Sequence, residues 1–140
     1  MKIAISGKGG VGKTTLAGVM ARILAKRGRK VLAIDADPDS NLASAIGLPK
    51  EILAKLLPIA SMTSMIEERT GSKKGTFGAM FKLNPKVDDI PDEMGVNYQG
   101  IKLLLLGCIP EGGGGCYCPE NVLLKNLVRH LLVKKEEALI

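Results

Sequence analysis

The chain opens on a short apolar run, KIAIS (2–6), that stops at Gly7. A run of that kind suits a parallel strand covered on both faces. After a glycine-rich stretch, LAGVMARILAKRG carries large apolar residues at helical spacing. Leu16, Val19, Met20, Ile23 and Leu24 are expected to form its buried face, with Arg22, Lys26 and Arg27 turned to water. Gly28 is placed to stop that helix. KVLAIDAD (30–37) reads as a second strand ending in carboxylates. Strand, helix, strand in this order predicts a right-handed parallel unit. Farther on, residues 41–71 hold short helical patterns broken by Pro49 and Pro58, which predict two or three helices. Residues 71–100 show little periodicity and read as a mobile excursion within one domain. IKLLLLG (101–107) is a third predicted parallel strand. A last helix is expected after Pro119, with Val122, Leu123, Leu127, Val128, Leu131 and Leu132 on its apolar side. The whole, residues 1–140, reads as one α/β domain with a parallel sheet flanked by helices.

Composition narrows the possibilities. The apolar share of 46% beside 24% charged residues is that of a globular chain. With no Trp, two Tyr and two Phe, the core must be aliphatic. Met62, Met65, Met80 and Met94 are scattered, which favours packing over soft-metal binding. The net charge of +6 raises the question of a nucleic acid partner, but Lys and Arg are dispersed and stacking aromatics are scarce. No nucleic acid partner is therefore expected. Nor is a membrane partner, because no stretch approaches the 18 or so apolar residues of a span, and the start shows no secretory signal. The expected compartment is a reducing cytoplasm, where three cysteines point to metal or redox chemistry before disulfides.

The chemistry starts at GKGGVGKTT, where Gly7 to Thr14 match G-x-x-x-x-G-K-[ST] between a predicted strand and a predicted helix. Gly7, Gly9, Gly10, Val11 and Gly12 let backbone amides wrap phosphates, and the helix start adds its positive end. Lys13 is placed to reach the β- and γ-phosphates and the Thr14 hydroxyl to ligate Mg²⁺, with Thr15 beside them. A glycine-rich turn without a ligand is the alternative, and the full motif in context argues against it. ATP with Mg²⁺ is the expected ligand.

A second lysine, Lys8, directly follows the first glycine. This loop resembles the deviant Walker A loop of the MinD, ParA and nitrogenase iron protein ATPases, and DADPDSN after the next strand strengthens the likeness. The resemblance implies a P-loop fold, a homodimer in which Lys8 reaches the partner's nucleotide, and hydrolysis of ATP to ADP and phosphate. It implies that Asp37 orients the attacking water, that Pro38–Asn41 is a switch segment, and that Asp35 lies near Mg²⁺ through water. Asp39 reads as a turn or capping residue.

GGGGCYCPEN (112–121) sets Cys116 and Cys118 before the last helix, whose start favours thiolates. Two thiolates are half a tetrahedral site. In the dimer that the resemblance implies, two such pairs are expected to converge and complete a tetrahedral S₄ site, as for Zn²⁺, or a square-planar one suited to Ni²⁺; two incidental thiols in a loop are the alternative. Cys108 reads as a small buried residue and His130 as a surface one. Together the loop and the C-x-C pair resemble the CooC-type accessory ATPases of carbon monoxide dehydrogenase. That resemblance implies a nickel-insertion role and the carbon monoxide dehydrogenase apoenzyme as partner. A MinD/ParA-type positioning or partitioning ATPase, or an electron-transfer ATPase like the iron proteins, are the alternatives. Family members are longer, which implies that a further strand with a Walker B-like carboxylate and the adenine contacts lie beyond Ile140. The sheet is accordingly expected to be incomplete at its C-terminal end.

Overall fold

The computed structural model describes residues 1–37, 39–71, 82, 85–107, 123, 126, 127, 129 and 137–139. Its centre is β1 (Lys30–Asp35). On one side lies the parallel strand β3 (Ile101–Leu105), in register from Val31 opposite Ile101 to Asp35 opposite Leu105. On the other, β4 (Glu137–Leu139) runs parallel opposite Lys30–Leu32. β2 (Val96–Tyr98) pairs antiparallel with β3, giving the order β2-β3-β1-β4. The sheet is therefore mixed where a wholly parallel one was expected. The cause is local, for Gln99 and Gly100 both take positive φ (47° and 79°). That is the two-residue turn whose twist suits a hairpin.

Helices cover both faces of the sheet. On one face Val31, Ala33, Ile101 and Leu103 meet α1 (Lys13–Lys26) and α2 (Leu42–Ile46). On the other, Leu104 and Leu106 pack with residues of α4 (Thr63–Thr70) and α5 (Ile90–Met94), and with Leu123 and Leu127. Between α2 and α4 lie a single turn, α3 (Lys50–Leu53), and a 3₁₀ turn at Ile59–Ser61. Fully buried Ile46, Ile59 and Leu103 each contribute about 1.5–3 kcal/mol through removal of apolar surface from water. Met65 and Met94 pack against the second core, as their scatter suggested, while Met80 lies outside the described residues.

The structure corrects part of the expected face of α1, since Met20 and Leu24 do pack half-buried against the first core and Arg22, Lys26 and Arg27 are exposed. Ala17, Gly18 and Ala21 are buried, whereas Leu16, Val19 and Ile23 are exposed. Small residues win because α2 comes too close for large ones. A Cβ built on Gly18 would stand 2.8 Å from the Cβ of Ala45. The helix ends as expected at Gly28 (φ 77°), where Gly28 N–H donates to the Ala25 carbonyl (2.9 Å) and Arg29 N–H to that of Leu24 (3.0 Å). Those bonds make a Schellman stop.

The expected strand at 2–6 is also corrected. Its residues form no regular strand, with a single bridge at Lys2, and they are exposed or half-buried. A strand exists by virtue of its partner. Both edges of β1 are already occupied, by β3 and β4. Of residues 71–100, Ile90–Met94 and Val96–Tyr98 form regular elements, and 72–81 lie outside the described residues. Cys108, Cys116, Cys118, Pro119 and His130 lie outside them too.

Candidate nucleotide-binding site

The glycine loop leads into α1 with no side chain closing the helix start. Gly12 occupies the N-cap with left-handed φ (88°), no side-chain hydrogen bond caps the first turn, and no acidic residue stands in it. Gly10 is left-handed as well (φ 80°). An L side chain at either position is strained by about 1–2 kcal/mol, which accounts for the glycines. The first-turn amides of a helix have no intrahelical acceptor. They need an external one, and an anion is the natural choice at the positive helix end. The loop therefore fits phosphate on its own geometry, independently of the motif match.

Lys13, the first residue of α1, folds back over the loop. Its Nζ lies 3.5 Å from the Lys8 carbonyl and 3.6 Å from Asp37 Oδ2. Thr14 is half-buried beside it, whereas Lys8, Gly9, Gly10, Val11 and Thr15 are exposed. A cavity of about 590 Å³ opens here, with Gly7, Lys13, Thr14, Asp35 and Asp37 in its wall. The remaining wall is largely apolar and includes Ile3, Ile5, Ile34 and Leu106, so the irregular KIAIS segment forms one side of the cavity. The site stands at the C-terminal end of β1, where ligands of open α/β sheets gather.

The carboxylates at that end do different things. Asp35 is buried, and both of its oxygens are used by backbone amides. Oδ1 accepts from Asp37 N–H (3.2 Å) and Oδ2 from Leu42 N–H (3.0 Å). Asp35 was expected to lie near Mg²⁺, and it does line the cavity, but its observed contacts staple the loop between β1 and α2. Nothing in the sequence pattern pointed to that role, because the partner amide belongs to a residue seven positions on. Asp37 is half-buried and faces Lys13. Its Oδ1 accepts from Asp39 N–H (3.0 Å), and Ser40 Oγ donates to its carbonyl (3.1 Å). Asp39 is an exposed turn residue, as expected, its carbonyl accepting from Asn41 Nδ2 (2.8 Å).

Lys8, Lys13, Thr14, Asp35 and Asp37 thus converge on one end of β1. Cys116 and Cys118 lie outside the described residues. Among the described residues no group of three or more His, Cys, Asp and Glu side chains is arranged to hold a metal. Among them, too, no helix is long and apolar enough to cross a membrane.

Comparison with known proteins agrees with this geometry. Residues 2–136 match the CobQ/CobB/MinD/ParA nucleotide binding domain. The whole chain is 55% identical to the carbon monoxide dehydrogenase accessory protein CooC of Rhodospirillum rubrum, covering 53% of that protein. It is 51% identical to an uncharacterised ATP-binding protein of Methanocaldococcus jannaschii, again over the full chain and 53% of the relative. A shorter likeness, 50% over 44 residues, links 31% of the chain to 18% of the chromosome-partitioning ATPase Soj of Thermus thermophilus. The chain thus spans about half the length of the first two relatives.

Proposed function

The chain belongs to the CobQ/CobB/MinD/ParA nucleotide-binding domain family, and on that premise we propose that it serves an ATP-driven accessory protein for maturation of carbon monoxide dehydrogenase. The carrying observation is the uncapped, glycine-led start of α1 with Lys13 beside it. Amides there take the phosphate oxygens, and Lys13 neutralises charge on the β- and γ-phosphates. The Thr14 hydroxyl supplies a hard oxygen ligand for Mg²⁺. Lys8, exposed at the loop's outer surface, is free to reach a nucleotide on a second copy. Asp37 is the carboxylate for orienting the attacking water, at the end of the same cavity.

The client enzyme is inferred from likeness to CooC over the full chain. A positioning or partitioning role is less well supported, since the likeness to Soj covers 31% of the chain. Nickel, treated as cargo, is assigned to Cys116 and Cys118 of two copies, four thiolates around a two-fold axis. Such a protein works in the cytoplasm.

Metal-to-protein ratio measured beside light-scattering mass tests the proposal, with Ni²⁺ and Zn²⁺ added separately under reducing conditions. One metal per two chains is expected, lost in Cys116→Ser and in Cys118→Ser and kept in Cys108→Ser. Binding weakens as pH falls toward about 6, since thiolates must shed their protons. One metal per single chain, or binding that survives Cys118→Ser, overturns the shared site.

A further inference from the structure

With Lys13 and the glycine loop taken as a phosphate site, the remaining question is what that site does before nucleotide arrives. Lys13 is not waiting in solvent. Its Nζ stands 3.6 Å from Asp37 Oδ2, and both residues line the same cavity. A carboxylate offers the same partner chemistry as a phosphate oxygen, namely an anionic acceptor for the ammonium. One ammonium cannot turn the same face to both.

Asp37 does not reach Lys13 by chance of a free side chain. Its own amide is held by Asp35 Oδ1 (3.2 Å), and the far end of the loop is held by Asp35 Oδ2 through Leu42 N–H (3.0 Å). Within the loop, Asp37 Oδ1 accepts from Asp39 N–H (3.0 Å), which leaves Oδ2 to face Lys13. Asp35 is 6% exposed and lies on β1, opposite Leu105 of β3, so the anchor is rigid.

We propose that Asp35 is a positioning residue that, through the amides of Asp37 and Leu42, holds Asp37 on Lys13 in the nucleotide-free protein, competing with the phosphate for it. Nucleotide binding then has a second effect. By taking Lys13 it releases Asp37, so that the carboxylate becomes free when a phosphate has arrived. The inference rests on the phosphate-site reading and adds to it a link between binding and loop position.

The test is calorimetric titration of ADP in EDTA, which isolates phosphate contacts from any metal. Asp37→Asn is expected to bind ADP about two- to fivefold more tightly than the parent chain, the range of a half-exposed ion pair. Asp39→Asn removes the same charge from the same loop without touching Lys13, and should give less than half that gain. Asp35→Asn, which can no longer accept both amides, is expected to tighten ADP binding also. A residue with a merely structural role would weaken binding when replaced. Combined with Asp37→Asn it should add nothing, because both act through one contact. Equal gains from Asp37→Asn and Asp39→Asn, or no gain from Asp37→Asn, overturn the competition. Should Asp35→Asn fail to fold, the comparison of Asp37→Asn with Asp39→Asn still decides. Absence of ADP binding by the parent chain defeats the phosphate-site reading itself, a separate result.

Discussion

Two ion pairs tie different elements of this chain and are built to different specifications. Lys13 and Asp37 meet at 3.6 Å, with 23% and 35% of their side chains exposed, and among the described residues neither has a second ion pair. Arg69, on α4, meets Asp89 at 2.9 Å, and each has a further partner: Glu93 on α5 at 3.7 Å from Arg69, Lys86 at 3.5 Å from Asp89. The contrast is between a contact that can be exchanged and one that holds. The first lies in the wall of the cavity at the end of β1. The second ties α4 to the start of α5. Protonation equilibria agree for the second pair. The hydrogen bond to Asp89 raises Arg69 above its ordinary value. Burial acts to raise Asp89, but the Arg69 hydrogen bond, a backbone one and the neighbouring charges outweigh it, and its carboxyl lies below the usual range.

Lys13→Ala probes the exchangeable pair most severely. It should weaken ADP binding by about 10- to 100-fold, the value of hydrogen bonds to charged groups, while the urea midpoint moves little. Calorimetry and denaturation on one preparation check both halves. A large loss of stability would mean that Lys13 holds the fold, as Arg69 does.

Asp89→Asn should show the reverse pattern, with about 1–3 kcal/mol of stability lost at neutral pH and ADP affinity unchanged. The sign of the pH dependence follows from the lowered carboxyl. Its contribution is fully present above the unfolded value near 3.8 and disappears as pH falls through the lower folded one. Urea titrations of the two proteins should therefore converge below about pH 3.8. A constant gap down to the most acid point would assign the loss to packing.

The smallest effect is expected from Lys8→Ala on ADP binding by a single chain, less than about twofold, since an exposed lysine contributes little. The same variant should fail to dimerise with ATP in light scattering. An equal loss of ADP affinity in Lys8→Ala and Lys13→Ala would erase the distinction between the two lysines.

How far these regions could be read in advance differs as well. The phosphate loop, α1, β1 and β3 were legible because each is specified by residues close in sequence. Gly28 as helix stop is an instance, a local φ requirement that glycine meets. What escaped depends on distant partners. The burial of Ala17, Gly18 and Ala21, and not of Leu16, Val19 and Ile23, follows from the approach of α2, which no periodicity within α1 reveals. The run at 2–6 looked like a strand because its composition is that of one, yet pairing is a property of two segments. β2 did carry a signal, the Gln99-Gly100 pair before an apolar run, lost among residues otherwise without pattern. Asp35 was legible as a carboxylate at the end of a strand. Its use as a double amide acceptor was not, because that depends on how the loop closes on itself.

The close approach of α1 and α2 has a mechanical consequence. A methyl group on Gly18 would meet Ala45 Cβ at 2.8 Å and its carbonyl carbon at 3.0 Å, so the two helices touch with nothing compressible between them. α1 begins at the phosphate loop, and α2 begins where the Asp37 loop ends. Lys13, Thr14 and Ala17 of α1 and Leu42 of α2 all line the cavity, so part of its wall is set by one tightly packed helix pair. A shift at the start of one helix is therefore transmitted to the start of the other.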